Sequence, residues 1–240
     1  MTDPFIHHPE LRDRLIDPEV SFYRGFRIDE MQDVMIENGL PIGWWYSDDH
    51  RESLRKQALA GLGDADLWVF AYGSLMWDPG FHFAEIRRAH APHHSRRFIL
   101  KDVRGARGSP EAPGLMAALD TGDGCDGLLF RIPQAQVDHE TEILCRRELV
   151  GPGYLAVFID TICDGQPIRA LTFVADHTTD AMQGDLTRQE QVHLIATGVG
   201  VFGTSLEYLG NIVEHFDLLG IEDPTLSDLL RDARAYRAAL

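Results

Sequence analysis

From residue 67 onward the chain breaks into short apolar or alternating runs bounded by Gly, Pro and Asp, the pattern of half-buried or buried strands. Such runs cover 67–72, 89–100, 114–118, 127–132, 154–162 and 168–175. Their uneven spacing predicts a compact, barrel-like mixed sheet. Helical periodicity intervenes or follows: 134–147 carries Val137, Ile143 and Leu144 on one face, and 188–197 carries Val192, Ile195 and Ala196. The spans 206–219 and 225–240 also read as helices, the second led in by Pro224, a residue suited to a first helical turn. There is no regular βαβ alternation, so the expected class is α+β, with helices flanking the sheet.

The first 65 residues have a different texture. Pro4, Pro9, Pro18 and Pro41 punctuate short mixed segments. Ser47 ahead of Asp48 and Asp49 reads as a helix start, after which Leu54, Ala58 and Leu62 recur at near-helical spacing. The expectation is a partly helical N-terminal extension over 1–65 that packs on a catalytic body over 66–240. Trp44, Trp45 and Tyr46 are its expected anchor, because such rings offer a large apolar contact with one polar edge. A lid over a substrate is the other reading of the same segment.

Composition narrows the partners. The chain has 240 residues, with 22 Lys and Arg against 38 Asp and Glu, a formal net charge of -16. That balance opposes binding to a phosphate backbone, whose affinity comes from clustered cations. No apolar run approaches the ~20 residues that span a bilayer, so neither nucleic acid nor membrane is expected as a partner and the protein is expected to be soluble. The opening Met1-Thr-Asp-Pro4 lacks the pattern of a secretory signal. Cys125, Cys145 and Cys163 are an odd number without metal-ligand spacing, which favours reduced thiols and a cytoplasmic setting. Against the acidic background, Arg87, Arg88, Arg96, Arg97, Lys101, Arg104 and Arg107 fall in one window with only Asp102 among them. They either make a positive field for a small acid or pair with acids along a sheet edge.

The chemistry concentrates in two places. The run Leu67-Trp-Val-Phe-Ala-Tyr-Gly-Ser-Leu-Met-Trp77 ends a strand at Tyr72, Gly73, Ser74 and Leu75, a tight turn whose backbone N–H groups can grip a carboxylate. Far along the chain, Glu148 ends a predicted helix just before Gly151-Pro-Gly153. An acid there faces the negative end of the helix dipole, which raises its pKa and costs stability, a cost that points to function. Pairing with Arg146 or Arg147 on the surface is the plainer alternative.

Other motifs carry less. Ser74 lacks the second glycine of a nucleophile elbow, so it is read as a binding hydroxyl and not as a nucleophile. Gly198-Val-Gly-Val-Phe-Gly203 spells a dinucleotide fingerprint, but a predicted helix precedes it where a strand is required, so it is read as a link between helices. His82, His90, His93 and His94 have neither the cysteine partners nor the spacing of a zinc site and are placed along a strand and its turn. Cys145 falls on a helix face read as core.

Several blocks in order resemble the gamma-glutamylcyclotransferase superfamily, and within it the ChaC branch. They are Trp68-Val-Phe-Ala-Tyr-Gly-Ser-Leu-Met-Trp77, Ser95-Arg-Arg-Phe98, Arg107-Gly-Ser-Pro-Glu-Ala-Pro-Gly114, Gly127-Leu-Leu-Phe-Arg131, Arg147-Glu148 with Tyr154, and Glu207-Tyr-Leu209. The resemblance departs where Thr204-Ser205 replaces an amide-bearing segment before Glu-Tyr-Leu, and where Met182 stands near a common tyrosine; both bear on substrate choice. The resemblance implies a gamma-glutamylcyclotransferase-like fold and a gamma-glutamyl substrate, chiefly glutathione, converted to 5-oxoproline and cysteinylglycine without metal or cofactor. It implies Glu148 as the single acid/base, and a substrate site formed by Tyr72, Gly73, Ser74, Leu75 and Tyr154. Two alternatives stand beside it: a non-catalytic binder of a small amino acid or peptide in the same pocket, and cyclisation of gamma-glutamylamines. Oligomeric state is left open.

Overall fold

A computed structural model describes residues 3–240, leaving Met1 and Thr2, and with them the head of the segment read above as lacking a signal, outside the described residues. Before the sheet come three helices, α1 (Phe22–Gly25), α2 (Gln32–Glu37) and α3 (Asp48–Leu59), joined by irregular chain and single 3-10 turns. Strands β1 (Leu67–Ala71), β2 (Glu85–Ala91), β3 (His94–Asp102), β4 (Gly114–Thr121) and β5 (Cys125–Ile132) lead into α4 (Val137–Glu148). There follow β6 (Tyr154–Cys163), β7 (Gln166–Ala175), α5 (Arg188–Thr197), the short pair β8 (Val199–Gly200) and β9 (Gly203–Thr204), α6 (Ser205–Leu219) and α7 (Pro224–Ala238).

Five strands close into a ring. β1 runs antiparallel to β5, from Leu67 opposite Ile132 to Ala71 opposite Leu128. β5 pairs on its other side with β2, from Glu85 opposite Arg131 to Ala91 opposite Cys125. β2 meets β6 at His90 opposite Ile162, β6 is next to β7, and β7 returns to β1 in parallel at Val69 opposite Leu171. The β6–β7 hairpin turns at Asp164 and Gly165, both at positive φ (50° and 73°), which matches the twist of paired strands. Closure leaves these strands no free edge where they join. Both faces of these strands are covered: Leu67, Val69, Leu128, Phe130, Ile132 and Leu171 are buried on one, and Phe70 and Leu129 on the other. β4 is added at β7 through Leu119 opposite Val174, and β3 lies beyond β4.

The chain clusters into two units. One comprises Met1–Arg27, Trp45–Arg96 and Leu119–Val174, and so holds α1, α3, α4 and the closed ring. The other comprises Ile28–Trp44, Arg97–Ala118 and Ala175–Leu240 and is built on α5, α6 and α7, which bury Ile195, Leu209, Ile212, Phe216, Leu229 and Ala233 among them. Helix starts there are capped as sequence chemistry requires: Thr187 with Glu190 and Thr204 with Glu207 form capping boxes, and Asp223 caps α7 ahead of Pro224. The Gly198–Gly203 segment is a link between α5 and α6 that carries only the β8–β9 hairpin, as its context predicted.

Two expectations need correction. The run 89–100 is not one strand but parts of β2 and β3, broken by a turn at Pro92 and His93. Proline cannot donate to a ladder, and the chain reverses there so that β2 lies on β5 while β3 lies on the far side of β4. In α3, Ser47 caps the helix through His50 N–H, but the fully buried positions are Arg51 and Arg55; Leu54 and Ala58 are half-buried, and Leu62 lies past the helix end. Arg55 is satisfied by Glu52, by Asp138 and by the Thr141 hydroxyl, so a buried cation takes the place of an apolar stripe. Among the described residues no helix is long and apolar enough to cross a membrane.

Candidate active site

The bend after β1 is held from three sides. Tyr72 is buried and its hydroxyl donates to the Phe173 carbonyl on β7 at 2.7 Å. Its own carbonyl accepts from Nε of the buried Arg96. Ser74–Met76 then form one 3-10 turn, closed by Met76 N–H to Gly73 O at 2.9 Å and Trp77 N–H to Ser74 O at 3.2 Å. The turn therefore uses the N–H groups of Met76, Trp77 and Asp78 and, among the described residues, leaves over those of Ser74 and Leu75, as a helical turn does at its start.

Glu148 is the last residue of α4, and Leu149 N–H closes the helix on Cys145 O. Its side chain is 15% exposed, so the plainer expectation holds for the partner, Arg147, and not for a place on the open surface. Burial pushes the carboxyl above its ordinary range, and the neighbouring Arg147 pulls it partly back. The contact is direct: Arg147 Nε lies 3.1 Å from Glu148 Oε1.

Arg147 is what joins the two halves of the site. Its side chain is 6% exposed; Nη2 donates to Ser74 Oγ at 2.9 Å, and Nη1 donates to the Asp78 carbonyl. The Tyr23 ring covers its guanidinium at 3.8 Å. A planar cation with donors on three sides can thus bind the bend and the acid at once, which a lysine could not do. Because Ser74 Oγ accepts from Arg147, its hydroxyl proton is left to donate elsewhere. Sequence reasoning placed Ser74 and Glu148 in one site but gave Arg147 only the role of an alternative surface partner of Glu148. Its only sequence signal is adjacency to Glu148 on a mostly buried helix.

Gly73 and Leu75 are buried in the bend itself, and Tyr154 opens β6 after the Gly151–Gly153 turn, in which Gly153 takes a φ of 151°. Cys145 is buried and its thiol is pushed up to about 12 by burial, which makes it part of the packing and not a nucleophile. The basic window disperses into separate partners: Arg87 with Glu85 and Asp164, Arg88 with Asp126, Arg97 with the Gly184 carbonyl, and Arg107 with the Phe202 carbonyl. Of the histidines, His82 meets Glu19 at 2.6 Å and His90 meets Asp126 at 2.7 Å; no His, Cys, Asp and Glu group among the described residues has metal-binding geometry.

A backbone bend with spare donors, tied by one arginine to a largely buried carboxyl of raised pKa, can hold an anionic group and move a proton beside it. The chain is similar to proteins of known activity. It is 30% identical over 187 residues to the glutathione-specific gamma-glutamylcyclotransferase of Escherichia coli (strain K12), covering 78% of this chain and 80% of that one. It is 31% identical over 159 residues to the glutathione-specific gamma-glutamylcyclotransferase 1 of Homo sapiens, covering 64% and 71%. The crystal structure of a yeast gamma-glutamyl cyclotransferase specific to glutathione superposes with a TM-score of 0.67 at 21% identity, over 73% of this chain and 99% of that one. The ChaC-like protein family matches residues 67–236, a span that contains the bend, Arg147, Glu148 and Tyr154, and the chain belongs to that family.

Proposed function

We propose that the protein is a gamma-glutamylcyclotransferase of the ChaC type that cleaves glutathione to 5-oxoproline and cysteinylglycine. The observation that carries this reading is the Glu148 carboxyl, only 15% exposed and linked to the Ser74 bend through one arginine. The names of the relatives support the choice of glutathione.

The reaction is internal to the substrate. The α-amine of the gamma-glutamyl residue attacks its own γ-carbonyl, a C–N bond forms to close a five-membered lactam, and the C–N bond to the leaving amine breaks. Most of the catalytic task is to hold a flexible chain in the ring-closing conformation. The spare N–H groups of Ser74 and Leu75 and the Ser74 hydroxyl are suited to the substrate α-carboxylate, which leaves the adjacent amine turned towards Glu148. Tyr72 fixes the bend and Tyr154 serves as a wall of the site.

Proton balance sets the role of the acid. The attacking nitrogen begins as an ammonium and ends as a lactam N–H, so it loses two protons; the leaving nitrogen ends as an ammonium and gains two. One carboxyl can carry protons between the two nitrogens, and does so best with a pKa raised towards working pH, the direction in which burial moves Glu148. The three buried, free cysteines accord with a reducing compartment, and the cytoplasm is the proposed location.

Incubation of the purified chain with glutathione, gamma-glutamyl dipeptides and gamma-glutamylamines, followed by assay for 5-oxoproline, tests the reading. Release from glutathione above the other two classes is expected. Binding without release would leave a non-catalytic binder, and release only from gamma-glutamylamines would move the chain to a different reaction.

A further inference from the structure

The segment ahead of the family region is built into the site. Residues 16–24 are pinned on the bend and on α4 at successive points, all within one unit. Ile16 N–H donates to the Trp77 carbonyl at 2.8 Å, and the buried Ser21 hydroxyl donates to Asp78 Oδ1 at 2.6 Å. The Ser21 oxygen also caps α1 by accepting from Tyr23 N–H. Arg24 makes a two-point ion pair with Glu140, at 2.9 and 3.2 Å, and its carbonyl accepts from Arg146. Gly80, at a φ of 70°, lets the chain approach so closely that a Cβ there would stand 3.2 Å from that of Tyr23. Between these anchors Tyr23 lays its ring on Arg147.

We propose that Tyr23 is a positioning residue: its ring holds the Arg147 guanidinium in the one orientation that serves Ser74, Asp78 and Glu148 together, so that the extension completes a site whose other parts lie in the family region. Three planar donor directions are useful only if the plane is fixed, and an aromatic face 3.8 Å away fixes it while keeping the charge attractive. The inference rests on the proposed role of Glu148 for its catalytic meaning. Other charged and titratable groups also surround α4. α3 brings Asp48, Asp49, Arg51, Glu52 and Arg55 to a cleft shared with Glu142, Cys145 and Arg146. α1 brings Arg24 to Glu140, whose carboxylate also accepts from His82 N–H. Only Arg147 is in ion-pair contact with Glu148 among the described residues, so its orientation is the term that Tyr23 controls.

The test compares Tyr23→Phe, which keeps the ring, with Tyr23→Leu, which removes it. The Glu148 carboxyl is followed through pH by carbon NMR of glutamate labelled at the carboxyl, its signal assigned by its loss in Glu148→Gln. This readout needs no turnover, so it answers even if glutathione proves not to be the substrate. Loosening Arg147 weakens the attraction that favours the ionised acid. Tyr23→Leu should therefore raise proton affinity at Glu148, by up to about tenfold, and, because the bend and the acid are then no longer held by one fixed group, lower kcat by about tenfold with KM within about twofold. Tyr23→Phe should change neither, and Val20→Ala, an exposed change on the same segment, should also leave both unchanged. Should the leucine variant fail to fold, Tyr23→Met replaces it under the same expectations. A folded variant without the ring whose Glu148 titrates as in the native chain overturns the proposal, whatever its activity.

Discussion

Replacing Arg147 by lysine keeps the charge and removes the geometry. The native guanidinium donates to Ser74 Oγ and to the Asp78 carbonyl, contacts Glu148 at 3.1 Å, and lies under Tyr23. A single ammonium on a flexible stem can serve one of these partners well and a second poorly. Each charge-assisted hydrogen bond lost is worth about 1.5–3 kcal/mol, and the lost ring contact about 0.5–2 kcal/mol. These losses overlap, since the bend can relax once the first is gone, and the retained charge still neutralises Glu148. A net cost of about 3 kcal/mol follows, which for a chain of this size lowers the melting midpoint by roughly 6–12 °C. Turnover should fall at least about tenfold, because the bend and the acid are no longer tied to one group. Calorimetry and 5-oxoproline release measured on the same preparation check both. A lysine variant with the native midpoint and native turnover would refute the claim that one planar cation unites the site.

The anchor of the extension makes a second prediction. Burial alone would push Glu140 up, but Arg24 and His82 N–H outweigh it and hold the carboxyl below its usual range. A depressed folded pKa contributes stability that is full above the unfolded value and is lost as pH falls through the folded one. Arg24→Met removes that contribution and leaves a carboxylate that is 2% exposed with its main partner gone, at a cost of about 3–5 kcal/mol near neutral pH. Urea midpoints should therefore differ most at pH 7 and converge in acid; a constant difference would contradict the pairing. Cys145, pushed up to about 12, should resist thiol reagents at pH 8 until the chain is denatured, and rapid labelling of the native protein at that residue would contradict its burial.

What the sequence disclosed depended on how far apart the partners lie. Strands such as 67–72 and 127–132 were legible because a short apolar run bounded by Gly or Asp is a local signal, and the end of α4 was legible because glycines and a proline follow it. The break between β2 and β3 was not read, because Ala89-His-Ala-Pro-His-His-Ser-Arg-Arg-Phe98 holds no Gly, Asn or Asp to signal a turn and Pro92 alone marks the reversal. The buried arginines of α3 were hidden for a different reason: Arg55 is satisfied by Asp138 and Thr141, which only the fold brings near. The same holds for Arg147. Its neighbour Glu148 is adjacent in the chain, but Ser74, Asp78 and Tyr23 are not, and a cation whose other partners are all remote looks like any other surface charge. The basic window shows the converse, since a cluster in sequence dissolved into separate pairs in space.

The central claim is that Glu148 moves the proton. Glu148→Gln keeps the shape and the contact with Arg147 while removing the acceptor, so release of 5-oxoproline from glutathione should fall by more than roughly a hundredfold while glutathione, titrated calorimetrically, binds within a few-fold of the native affinity. Near-native release by that variant would contradict the account.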